Sequence, residues 1–117
     1  MPDALYLTIR DTSVDNTNQV VKAKPGHVRH FILTNGGTVD AWFHLYDGLT
    51  ANVTVGTTTP KASFVVPAGA SATQVGAYEY EGPALDFQKG IIYACTTTLT
   101  GGDDCTTKPA LGVLSYR

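Results

Sequence analysis

Residues 27–47 read HVRHFILTNGGTVDAWFHLYD, and this stretch decides the fold class. Its first half, His27 to Asn35, is an extended apolar run that stops at Asn35-Gly36-Gly37. Its second, Asp40 to Asp47, carries apolar side chains on both faces of a strand. Short apolar runs separated by Asn-Gly-Gly are strands joined by a turn. Glycine takes backbone conformations closed to other residues, and asparagine hydrogen-bonds its own following backbone. Neither run keeps the three-to-four-residue apolar spacing of a helix. The two are expected to be central strands, with Phe31, Leu33, Phe43 and Leu45 in the core.

The same grammar extends outward. Upstream, Ala4 to Arg10 alternates, with Leu5, Leu7 and Ile9 on one face and Tyr6, Thr8 and Arg10 on the other. A polar loop, Asp11 to Asn18, leads to a short strand at Gln19 to Ala23 and a turn at Lys24-Pro25-Gly26. Downstream, Asp47 to Pro60 is a long connection with room for one edge strand. Lys61 to Val66 is a strand closed by Pro67-Ala68-Gly69, and Ala70 to Val75 a weaker one. After a loop holding Tyr78, Glu79 and Tyr80 come strands at Ala84 to Phe87, Gly90 to Thr97 and Leu111 to Tyr116. Phe64, Val66 and Ile92 join the expected core. About eight short strands with some long connections predict an all-β chain, one jelly-roll-like sandwich domain over residues 1–117 with Greek-key crossings.

Composition narrows the function. Of 117 residues, 43% are hydrophobic and only 15% charged, so Thr, Ser, Asn and Gly supply most of the polarity, a bias suited to strands and turns. The net charge is −2, and no Lys/Arg cluster is placed to neutralise a run of phosphates, so no nucleic-acid partner is expected. No apolar stretch approaches the roughly 20 residues of a membrane span, and MPDALYLTIR lacks the pattern of a signal peptide. The expectation is a protein made in the cytoplasm that binds no membrane.

Chemistry-bearing residues are sparse. His27 and His30 lie three apart in one strand, where alternation sends them to opposite faces. His30 and His44 could meet across neighbouring strands, but no third ligand completes a metal site. Asp103 and Asp104 sit in a turn and point apart, and Asp86 points outward or caps a turn. Neither a nucleophile elbow nor a phosphate loop nor a dinucleotide fingerprint is present, so no enzyme activity, cofactor or metal is expected. Cys95 and Cys105 flank what looks like a hairpin tip, which makes a disulfide geometrically conceivable. Trp42, Tyr46, Tyr78 and Tyr80 are the aromatic residues on which a sugar could stack, with core or interface packing the stronger reading for Trp42. Exposed tyrosines on irregular segments suit protein contact, so Tyr78, Glu79 and Tyr80, with Leu49 and Val53 in the long connection, form the candidate interface.

From Phe31 to Arg117 the chain resembles small virion-associated proteins of tailed bacteriophages, of the head decoration or cement kind. The stretches that carry the likeness are ILTNGGTVDAWFHLYD (32–47), TVGTTTPKASFVVPAGA (54–70), GPALDFQKGIIYACTTTLTGGDD (82–104) and the terminal LSYR. In such proteins an asparagine ends one strand and the next carries an aromatic and a Leu-Tyr pair, here Asn35, Trp42, Leu45 and Tyr46. A Gly-Thr…Pro loop then precedes a strand closed by Val-Pro-Ala-Gly, here Gly56 to Pro60 and Val66 to Gly69. The cysteine pair departs from the pattern. The resemblance implies a non-enzymatic capsid decoration protein that bridges subunits of the major capsid protein or other virion proteins on the capsid surface, as a homo-oligomer with a trimer favoured. A tail, neck or baseplate component, or a carbohydrate-binding module for host glycans, are the alternatives.

Overall fold

The computed structural model describes residues 6–69 and 75–117. Among them are nine strands: β1 (Leu7–Asp11), β2 (Gln19–Lys22), β3 (Gly26–Asn35), β4 (Ala41–Asp47), β5 (Ala62–Val66), β6 (Gly76–Tyr80), β7 (Leu85–Phe87), β8 (Ile91–Thr96) and β9 (Ala110–Tyr116). All pair antiparallel, in two sheets. The first has the order β1-β9-β3-β6, with β7 also on β3; the second has the order β2-β8-β4-β5. The all-β sandwich expected from the strand pattern is what forms.

β6 and β7 run in the same direction along β3, with Tyr80 opposite Phe31 and Leu85 opposite Val28, so they form one strand interrupted at residues 81–84. The expected loop at Tyr78, Glu79 and Tyr80 is therefore a strand. The long connection after Asp47 holds a single 3-10 turn, Thr50–Asn52, and no edge strand. The weak strand expected at Ala70 to Val75 falls largely outside the described residues, as does Leu5. The expected last hairpin does not exist: β8 lies between β2 and β4 in the second sheet, β9 between β1 and β3 in the first, and residues 97–109 cross between the sheets.

The core is sealed between the sheets. Phe31, Leu33, Phe43, Leu45 and Val66 are fully buried there, with Phe64 partly buried against them. Phe31 is its hub, with ring centroids 5.2 Å from Phe43, 5.1 Å from Phe64 and 5.3 Å from Tyr80. Burying one such side chain contributes roughly 1.5–3 kcal/mol. Ile92 is fully buried too, but on the opposite face of β8, in a second apolar cluster with Tyr46, Val53 and Ala94. Leu7, expected to be half-buried, is 57% exposed at the outer end of an edge strand, whereas Ile9 packs on the core.

One irregularity sets which side chains reach the outer face. Along β3, Val28 and Phe31 both point inward although they are three positions apart, because the register with β9 shifts between Val28 and His30. A bulge inserts one extra residue and flips the phase of everything after it. His27 and His30, expected on opposite faces, consequently share the outer one. At the end of β3, Asn35 is buried and closes the turn, its amide donating to the carbonyls of Val39 (2.9 Å) and Val66 (3.1 Å) and accepting from Gly37 N–H (2.9 Å).

Candidate functional site

The outer face of the first sheet is open and polar. His27 Nδ1 lies 2.5 Å from Asp86, its cross-strand partner, and His30 Nε2 lies 3.0 Å from Glu79. Asp86 thus pairs outward with a histidine. Arg29 is exposed beside them, its guanidinium 4.9 Å from the ring centre of Tyr6. Of the candidate interface residues, only Glu79 belongs to this surface. Tyr78 and Tyr80 alternate with it on β6 and turn inward, Tyr80 stacking on Phe31 at a 10° interplanar angle and Tyr78 lying 5.4 Å from Phe64. Pleating turns the two rings toward the core and leaves both residues only partly exposed.

The second sheet is roofed. The connection 48–60 folds over its outer face and buries Val53, which is 6% exposed and so cannot serve as the expected contact residue; Leu49, at 42%, remains available. The crossing segment after β8 covers the neighbouring strip. The two segments interlock at glycines: Gly56 has φ 89°, open mainly to glycine, and a Cβ there would stand 2.7 Å from Gly102 Cα. Asn16 and Asn18 clamp the roof from the side, their amides donating to Gly102 O (3.0 Å) and Val53 O (2.9 Å).

Under this roof His44 is almost completely buried. β3 and β4 lie in different sheets, so the expected approach of His30 to His44 across neighbouring strands does not occur. Instead His44 is flanked by its neighbours on β5 and β8: Nδ1 is 2.7 Å from Ser63 Oγ and Nε2 is 2.7 Å from Thr96 Oγ1. The Thr96 hydroxyl donates to Thr98 O at 2.7 Å, so it accepts from Nε2–H, and Nδ1 accepts from Ser63. The ring is a neutral link in a chain of hydroxyls, and burial lowers its pKa. A serine on a histidine suggests nucleophilic catalysis, but here the far nitrogen meets a threonine hydroxyl where a carboxylate would stabilise the imidazolium.

Between the two roof segments a cleft of about 220 Å³ opens onto this strip. His44 and Tyr46 form its floor, residues Gly56 to Pro60 one wall, and Leu99 to Gly101 the other. Of the four aromatics singled out in the sequence, Tyr46 alone lines it; Trp42 is half-buried elsewhere on the same face. Nothing in the residue pattern of TVGTTTP marks it as the wall of a cleft. The apolar residues on both faces of AWFHLYD did signal that something covers the outer side of β4.

Cys95 and Cys105 are both buried free thiols in the main core, facing one another across the sheet crossing. The neighbouring Cys105 thiol, together with burial, pushes the Cys95 thiol well above its ordinary range, while Cys95 holds the Cys105 thiol down. Asp103 and Asp104 do not converge. Asp104 accepts from Lys108 Nζ (2.7 Å) and from the backbone of Cys105 (2.9 Å) and Asn16 (3.3 Å), while Asp103 contributes its carbonyl to Thr97 N–H (3.1 Å). Among the described residues no group of three or more His, Cys, Asp or Glu side chains is placed to hold a metal ion. No family model matches the chain, and no curated protein or solved structure matches it.

Proposed function

We propose that this protein is a structural component of a phage virion, a decoration or cement protein that docks on the capsid surface and bridges subunits of the shell. Counting β6 and β7 as one interrupted strand, we read the interleaving of early and late strands in the two sheets as a jelly roll, the architecture implied by the resemblance. The observation that carries the reading is the open face of the first sheet. Its side chains stand on paired strands, so they are held in place before any partner arrives, and Arg29, Glu79 and Asp86 offer charges of both signs. Contact on such a face loses little conformational entropy. Many copies on a symmetric lattice, as trimers, would turn modest contacts into firm attachment.

The test uses purified particles. Copy number by quantitative mass spectrometry should correspond to shell positions; a handful of copies per particle would point to tail, neck or baseplate instead. Particles lacking the protein should release DNA at a lower temperature on heating, and the double reversal Arg29→Glu with Glu79→Arg should lower occupancy. Unchanged heat release from particles without the protein overturns the cement role.

A further inference from the structure

We propose that the cleft over the second sheet is a binding site for a single uncharged sugar ring. The inference does not rest on docking to a shell. Tyr46 is 1% exposed, its ring packed in the second apolar cluster with Val53, Ile92 and Ala94. Its hydroxyl has no hydrogen-bond partner among the described residues, yet it is not sealed from solvent, and the residue lines the cleft. A buried tyrosine normally finds a partner for its hydroxyl. An occupant of the cleft would supply that partner.

The walls define the chemistry of that occupant. Thr57, Thr59 and Thr100 contribute hydroxyls, whereas the Thr58 hydroxyl is committed to its own loop, accepting from Thr54 N–H (2.8 Å) and reaching Asn52 O (3.4 Å). Leu99 and Pro60 contribute apolar surface. No Asp, Glu, Lys or Arg lines the cleft, and both nitrogens of His44 are already bonded. A charged ligand would lose its hydration with nothing to replace it. A wholly apolar ligand would leave the Tyr46 hydroxyl without a partner. A sugar ring presents hydroxyls at its edge and C–H groups on its face, and so meets both demands. The volume of about 220 Å³ is below the roughly 300–1,000 Å³ of drug-sized sites, which limits the occupant to one ring. The Gly56–Gly102 contact holds the walls together without a ligand, so binding needs no closure.

The experiment is an amide NMR titration of the isolated protein with glucose, galactose, N-acetylglucosamine and glucuronate. At least one neutral sugar should give saturable shifts at Thr57, Thr59 and Leu99 to Gly101. Tyr46→Phe, which removes one oxygen and keeps the ring, should weaken binding by about two- to tenfold. Leu99→Trp, which fills the rim without touching the buried cluster, should abolish it, and decides the matter if Tyr46→Phe disturbs the fold. No saturable shift with any neutral sugar, tighter binding of glucuronate, or full affinity in Leu99→Trp would each overturn the proposal.

Discussion

The two sheets present their outward faces differently, and the three histidines measure the contrast. On the first sheet His27 and His30 stand half-exposed, each against a carboxylate, on a surface open to partners. On the second His44 is 1% exposed and bonded only to neutral hydroxyls, beneath a roof made of two connections. An open sheet face needs apolar side chains on one side of its strands only. A roofed one needs them on both, and this is how β4 and β8 differ from β3. The contact proposed with a shell uses the open face, and the sugar proposed above uses the covered one.

The comparison breaks most directly at the second apolar cluster. If the roof encloses a true second core, Ile92→Ala should cost about 2–5 kcal/mol. Ile32→Ala, on the open face, should cost about 1 kcal/mol or less. Urea unfolding of both variants checks this, and equal losses would mean that the roof contributes no packing. The histidines give the next effect. His44→Ala takes from the Ser63 hydroxyl its acceptor and from the buried Thr96 hydroxyl its donor, and should cost about 1–3 kcal/mol, whereas His27→Ala and His30→Ala remove exposed pairs and should each stay within about 0.5 kcal/mol.

Acid should sharpen the contrast. Burial sets the folded-state pKa of His44 below its unfolded value of roughly 6.5. Below that pH the unfolded chain takes up a proton that the folded one refuses. Stability contributed by keeping His44 neutral is therefore intact above about pH 7.5 and falls as pH drops toward 5.5, by at most about 1.4 kcal/mol per pH unit. His44→Gln should lack this component in a pH series of urea midpoints, and an identical pH profile would refute it. The smallest effect lies at the sheet crossing: a thiol reagent should find neither Cys95 nor Cys105 in the folded protein and both in urea, because buried thiols are inert. Rapid labelling of the folded protein would show that the crossing opens.

Much of the fold was legible in the chain, and for particular reasons. The turn at Asn35-Gly36-Gly37 and the strands around it follow from local alternation and turn chemistry, and Asn35 closes that turn as such residues do. The segment with Tyr78 and Tyr80 reads as a loop because of the flanking Gly and Pro, although GAYEY alternates as the strand it forms. Their inward orientation depends on β3 lying alongside. Val53 was misjudged because a residue in an irregular connection carries no periodicity that tells which way it points. The cleft was illegible for a related reason: Tyr46, Thr59 and Thr100 are far apart in sequence and meet only when two loops close over one face.

What the sequence by itself determined was the element type and the inner faces of the central strands, since a period of two and its punctuation are properties of neighbouring residues. What only the tertiary structure decided was the pairing of β8 with β2 and β4, the bulge that put His27 and His30 on one face, and the roof over His44 and Tyr46. Those depend on contacts between residues distant in the chain, and such contacts leave no local mark. A one-residue bulge or a loop laid over a sheet reverses a side chain's environment while leaving the alternation around it unchanged.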